Sequence, residues 1–70
     1  MKTIKKIGHV FAESEDDLYD VAGLSIDKDT ISGTLYCAGG NRPVMTWDLK
    51  GNPINHEYVL NMNNLVIENN

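Results

Sequence analysis

Clusters of Gly, Pro, Asn, Asp and Ser interrupt this chain roughly every eight to twelve residues, and most intervening segments alternate apolar and polar side chains with a period of two. That period lines one face of an extended strand, so the pattern directs the chain toward short antiparallel strands joined by turns. The clearest unit is a hairpin. Leu24 and Ile26 alternate with Ser25 and Asp27, Asp27-Lys28-Asp29-Thr30 makes a polar turn, and Ile31, Gly33, Leu35 and Cys37 then share one side against Ser32, Thr34 and Tyr36. Ala38-Gly39-Gly40-Asn41-Arg42-Pro43 is the strongest turn signal, because its glycines and asparagine tolerate positive φ. Met45, Trp47 and Leu49 then share a face, and Lys50-Gly51-Asn52-Pro53 ends that strand. Ile54, His56, Tyr58, Leu60 and Met62 line one side of a further extended segment, and Leu65-Val66-Ile67 is the last apolar patch.

Near the start, Ile7, His9 and Phe11 alternate with Lys6, Gly8 and Val10, which predicts a first strand over residues 3–12 with one well-buried face. Ser14 followed by Asp17 resembles a capping box, Leu18, Val21 and Ala22 fall at helical spacing, and Gly23 suits a helix C′ position. These signals predict a short acidic helix near residues 15–22, in competition with a second strand from Leu18 to Leu24. The expected architecture is one domain over residues 1–70, mainly β with an α+β variant, as a small antiparallel sheet or SH3-like barrel of four to six short strands.

Seventy residues make one small core, which leaves stability marginal without a disulfide, a metal or self-association. Cys37 is the only cysteine, so no internal disulfide forms and the thiol reads as a small apolar filler. A homo-oligomer, a dimer first, is therefore expected, with the edges of an open sheet as the natural contact. The basic start runs into Glu13 before any leader-like apolar stretch, and no segment has the length of a membrane span, which leads us to expect a cytoplasmic protein without membrane contact.

Residues 13–29 hold seven carboxylates against Lys28 alone, a net charge of −6 that exceeds the −4 of the whole chain. Such a face steers a basic protein partner, while its plain reading is a solvated helix start and turn. Glu15, Asp16, Asp17 and Asp20, with Tyr36 and Tyr58 as aromatic anchors, are the expected partner-binding residues. An alternative site uses Gly39, Gly40, Asn41 and Arg42 to hold an anion and Trp47 to stack on a ring, against the plain reading of a hairpin turn and a core tryptophan. Asp27-Lys28-Asp29-Thr30-Ile31-Ser32-Gly33 fails as a calcium loop, since its glycine is one place late and Ala38 stands at the twelfth position. His9, His56 and Cys37 lack the short pairwise spacing of a zinc site, and nothing marks Cys37 as an activated nucleophile, so no metal, cofactor or catalytic residue is expected. A pI near 4.8 with no basic stripe argues against direct nucleic-acid binding.

Ile31-Ser32-Gly33-Thr34-Leu35, then Val44-Met45-Thr46-Trp47-Asp48-Leu49-Lys50-Gly51 and a distal Tyr58-Val59-Leu60, resemble small uncharacterised bacteriophage and prophage proteins in which a Gly-containing strand precedes a Trp-x-x-x-Gly element. The resemblance covers less than half the chain, and residues 1–24 do not follow it. It implies a phage or mobile-element origin and a small β-rich fold, with no catalytic residues to carry over. The resulting expectation is a small, acidic, non-enzymatic protein that binds and modulates a host or phage protein. The alternative is an oligomer that sequesters a small molecule or nucleotide in a pocket between chains.

Overall fold

The computed structural model describes residues 1–70. Seven strands carry the chain: β1 (Lys2–Lys6), β2 (Phe11–Glu13), β3 (Leu18–Asp27), β4 (Thr30–Tyr36), β5 (Val44–Asp48), β6 (Val59–Leu60) and β7 (Leu65–Asn69), with a single 3-10 turn at Ala38–Gly40. Five of them form a curled sheet in the order β5-β4-β3-β2-β6, while β1 and β7 pair as a separate ribbon. Every pairing is antiparallel. The protein is mainly β and barrel-like, as the period-two patterning predicts. The curl brings the chain beyond β5 back onto the sheet: Leu60 N–H donates to the Gly51 carbonyl at 2.9 Å, Ile54 N–H donates to Thr46 at 3.0 Å, and Pro53 bridges Trp47.

The β3–β4 hairpin has the expected two-residue turn, Asp27 pairing with Thr30 and Lys28 taking φ of 53°. The inner face of the sheet carries Val10, Ala12, Val21, Ile31, Leu35, Trp47 and Leu60, and Leu65 of the ribbon joins the same core. Ile31 and Leu35 face inward with Gly33, as their alternation predicts, and Cys37 packs against the core edge. Trp47 is fully buried, and its indole N–H donates to the Tyr58 carbonyl at 2.7 Å, so its one polar atom is satisfied. His56 closes over it: the ring lies edge-on to Trp47 with centroids 5.4 Å apart, Nδ1 accepts from Tyr58 N–H, and Nε2 lies 2.8 Å from the Thr46 carbonyl. An accepting Nδ1 leaves the proton on Nε2, so this histidine is the neutral tautomer that ties the 54–58 loop to β5.

The short acidic helix near residues 15–22 is not formed. Residues 14–17 make a tight loop between β2 and β3, in which Ser14 N–H donates to the Asp17 carbonyl at 2.8 Å and Asp17 N–H donates to Ser14 Oγ at 3.3 Å. The Ser-x-x-Asp signal is thus real but serves a turn, a use open to any short polar side chain that bonds nearby backbone. Gly23 does take positive φ, 64°, but as part of a β-bulge and not as a helix end. Ala22 pairs with Thr34 and Ser25 with Ser32, so Gly23 and Leu24 together oppose Gly33 alone. The extra residue shifts the inward phase: Tyr19 and Val21 pack on the core before the bulge, Leu24 and Ile26 after it. Inward spacing of two, three and two imitates a helical stripe, and Leu18, counted in that stripe, is exposed.

Two other expectations are corrected. The first strand is broken at residues 7–10, so 3–12 becomes all of β1 but Lys2 and most of β2, and its buried side chains are Val10 and Ala12 instead of Ile7, His9 and Phe11. Ala12 sits between Tyr19 and Leu60 in the register, where a small side chain fits. The extended segment through residues 54–62 is strand only at Val59–Leu60, because the 54–58 loop folds over Trp47; even so, His56, Tyr58 and Met62 are half-buried and Leu60 is buried.

Candidate functional site

The fold divides the acidic run. Glu15, Asp16 and Asp17 stand exposed in the loop before β3, whereas Asp27 and Asp29 lie at its far end, roughly 30 Å away for a strand of this length. Asp29 is paired with Lys2, whose Nζ is 3.2 Å from Oδ1. No single face therefore carries all seven carboxylates. What remains together is Glu13, Glu15, Asp16 and Asp17 at one end of the sheet, with Asp20 on its outer surface.

Register assigns the neighbours of these acids. Leu18 pairs with Glu13 and Glu13 with Val59, so the three share one row of the outer face, across β3, β2 and β6. In the next row, Phe11 pairs with Asp20 and Asp20 with Tyr36; beyond it Thr34 pairs with Val44. Directly opposed side chains lie about 5 Å apart and diagonal ones about 7–8 Å. Leu18, Tyr36 and Val44 thus trace an apolar diagonal over β3, β4 and β5, and Val59 on β6 continues it on the far side of Glu13, which holds the β2 position. Their exposures are 55%, 45%, 71% and 47%, half of the large apolar side chains that the chain leaves exposed.

Polar groups edge this diagonal at fixed positions. His9 Nε2 lies 2.5 Å from Asp20 Oδ1, and the imidazole stacks on Phe11 with centroids 5.8 Å apart. The Arg42 guanidinium carbon sits 4.6 Å above the Tyr36 ring while one of its nitrogens donates to the Asn41 carbonyl at 3.0 Å. A cation over an aromatic face fixes both side chains, so Tyr36 is presented as a rigid flat surface. At the mouth of the curl, Asp17 is the main cause that raises the Tyr19 phenol pKa, and burial is the main cause that raises that of Tyr58.

Of the expected partner-binding residues, the structure therefore brings Asp20 and Tyr36 into direct register and places Glu15, Asp16 and Asp17 beside Leu18. Tyr58 is not an outward anchor. It is half-buried on the core, its ring edge-on to Tyr19 at 5.7 Å, because its carbonyl and N–H are held by Trp47 and His56. Leu18, Val44 and Val59 were missed by sequence reasoning. Val59 was legible as the outward alternate of Tyr58 and Leu60, while Leu18 and Val44 depended on the register.

The alternative ligand residues do not converge. Gly39 and Gly40 take φ of 79° and 84° in an exposed loop with open space around both, and Asn41 and Arg42 follow on the surface. Trp47 is fully buried, with no ring face to offer, and the chain encloses no pocket. His9, His56 and Cys37 do not assemble, and no group of three His, Cys, Asp or Glu side chains is placed to hold a metal ion. No helix is long and apolar enough to cross a membrane. The chain matches no known family model, no curated protein and no solved structure.

Proposed function

We propose that this chain is a small non-enzymatic interaction protein that binds a protein partner through the outer face of its curled sheet. The observation that carries the reading is the diagonal of Leu18, Tyr36 and Val44, with Val59 beyond Glu13, exposed on one face of the sheet beside Asp17 and Asp20. Apolar and aromatic anchors in the centre with charge at the rim is how protein-binding surfaces divide affinity from steering. The acidic rim favours a partner with basic residues around an apolar patch. The resemblance of residues 31–60 to phage and prophage proteins supports a host or phage protein as that partner.

The test is position-resolved cross-linking in cells that make the protein. A photoreactive residue at Leu18, Tyr36 or Val59 should capture one and the same protein, whereas one at Lys50 or Glu57 should not. Equal capture from all five positions, or none from the outer face, refutes the reading.

A further inference from the structure

We propose that the free edge of β7 pairs with β7 of a second copy of this chain, antiparallel about a two-fold axis at Ile67, joining the two β1–β7 ribbons into one four-stranded sheet. The hydrogen-bond pattern of the ribbon gives the direction of every backbone group. Met1 and Asn70 exchange both of their backbone bonds, each 2.7 Å, and Ile7 N–H donates to Asn64 at 2.9 Å. Hydrogen-bonded and non-bonded pairs alternate along an antiparallel ladder. Given the register, Thr3–Glu68 and Lys5–Val66 are then bonded pairs, and Leu65, Ile67 and Asn69 turn their N–H and C=O groups away from β1. Leu65 N–H donates back to Met62 at 3.1 Å. The N–H groups of Ile67 and Asn69 and the carbonyls of Leu65 and Ile67 have no partner within the chain, whose only strand beside β7 is β1.

Such an edge invites another strand unless it is blunted by proline, lysine or a bulge. Leu65-Val66-Ile67-Glu68-Asn69 has none of these, whereas β1 carries Lys2, Lys5 and Lys6. The same alternation selects the register. Centring on Ile67 sets Ile67 against Ile67 and Leu65 against Asn69, which satisfies about four outward donors and leaves the Leu65–Met62 bond intact. A shift toward the C-terminus places Glu68 on Glu68, and like charges directly opposed are unfavourable. A shift the other way shortens the overlap. In the centred register Glu68 faces Val66 of the second copy, and Lys5, which pairs with Val66, lies about two strand spacings beyond, within reach of a glutamate across that valine. Each half of the dimer thus sets an acid toward a base of the other, and the half-exposed Val66 is covered between them. The contact leaves the outer face of the five-stranded sheet open, so it stands or falls separately from the partner-binding reading.

The test is sedimentation of the full chain over roughly a hundredfold concentration range, with residue-resolved amide exchange on the same samples. A concentration-dependent dimer is expected, in which the Ile67 and Asn69 amides become protected as it forms while those of Val66 and Glu68 are protected throughout. Asn69→Pro removes a donor that points away from β1, so it should weaken dimerisation by roughly 10- to 100-fold without altering thermal unfolding of the monomer. Should that variant fail to fold, Glu68→Lys carries the test, weakening the dimer more at low salt than at high. A chain that stays monomeric overturns the proposal, as does a dimer whose Ile67 and Asn69 amides exchange freely or one that neither variant weakens.

Discussion

Gly51→Ala should be among the most damaging single changes in this protein, and its cost has two separable sources. Gly51 is buried at φ of 87°, where an L side chain costs about 1–2 kcal/mol. A Cβ there would stand 2.5 Å from the Leu60 carbonyl oxygen and 3.0 Å from Met62 Cγ. The methionine can swing aside. The carbonyl cannot, because it belongs to β6, whose own Leu60 N–H is bonded to the Gly51 carbonyl. Forcing β6 away from the turn that holds Gly51 costs about 1–3 kcal/mol as overpacking, and stretching that bond adds about 1 kcal/mol. The sum is about 3–6 kcal/mol, against a total stability of about 4–10 kcal/mol for a domain of this size. Gly39→Ala is the matched control, with φ of 79° but no atom within 4 Å of the added methyl, so only the backbone cost of about 1–2 kcal/mol applies. Urea unfolding followed by Trp47 fluorescence should separate the variants by about 2 kcal/mol or more, or about 8–16 °C in thermal midpoint. Equal losses within about 0.5 kcal/mol would refute the claim that close approach of β6, beyond dihedral strain, makes this glycine necessary.

Trp47→Phe removes the donor to the Tyr58 carbonyl and leaves a void beside Gly33 and His56, and should cost about 2–4 kcal/mol in urea unfolding read by circular dichroism. The Asp48 carboxyl accepts from Asn52 N–H first, then from Lys50 N–H and the Asn52 side-chain amide, which together hold its pKa below the ordinary carboxylate value. A depressed folded pKa gives stability that is fully present above the unfolded pKa and is lost as pH falls through the folded one. Asp48→Asn should therefore flatten the acid limb of the urea midpoint below about pH 4, and an unchanged limb would contradict this. For Tyr58 the raised pKa has the opposite sign, its contribution being present below the unfolded value and lost above about pH 10, so Tyr58→Phe should be less sensitive to alkaline titration.

The β3–β4 hairpin, the Ala38–Pro43 turn and the burial of Trp47 were legible because turn chemistry and strict alternation agree there. The region from Ile7 to Leu24 was not. Its inward residues skip a phase at the Gly23–Leu24 bulge, and a bulge exists only in relation to the strand opposite, where Gly33 receives it: a Cβ on Gly33 would meet Val21 at 2.7 Å. A two-turn helix also has too little local stability to compete with a strand that buries Val21 between Val10 and Leu35. The candidate site was half readable for the same reason. Tyr36 and Asp20 were identified from their alternation and charge, but their adjacency, and the part played by Leu18, Val44 and Val59, follow from pairings between distant segments.

We propose the outer face of the sheet as the binding surface. Its most direct measurement is the affinity of the cross-linked partner, once purified, for the wild type and for a Leu18→Asp, Tyr36→Ala double variant, with thermal midpoints taken alongside. Both side chains are exposed, so the variant should keep its midpoint within a few degrees while binding falls by roughly 100-fold or more. Unchanged affinity, or a loss that tracks unfolding, would contradict the account.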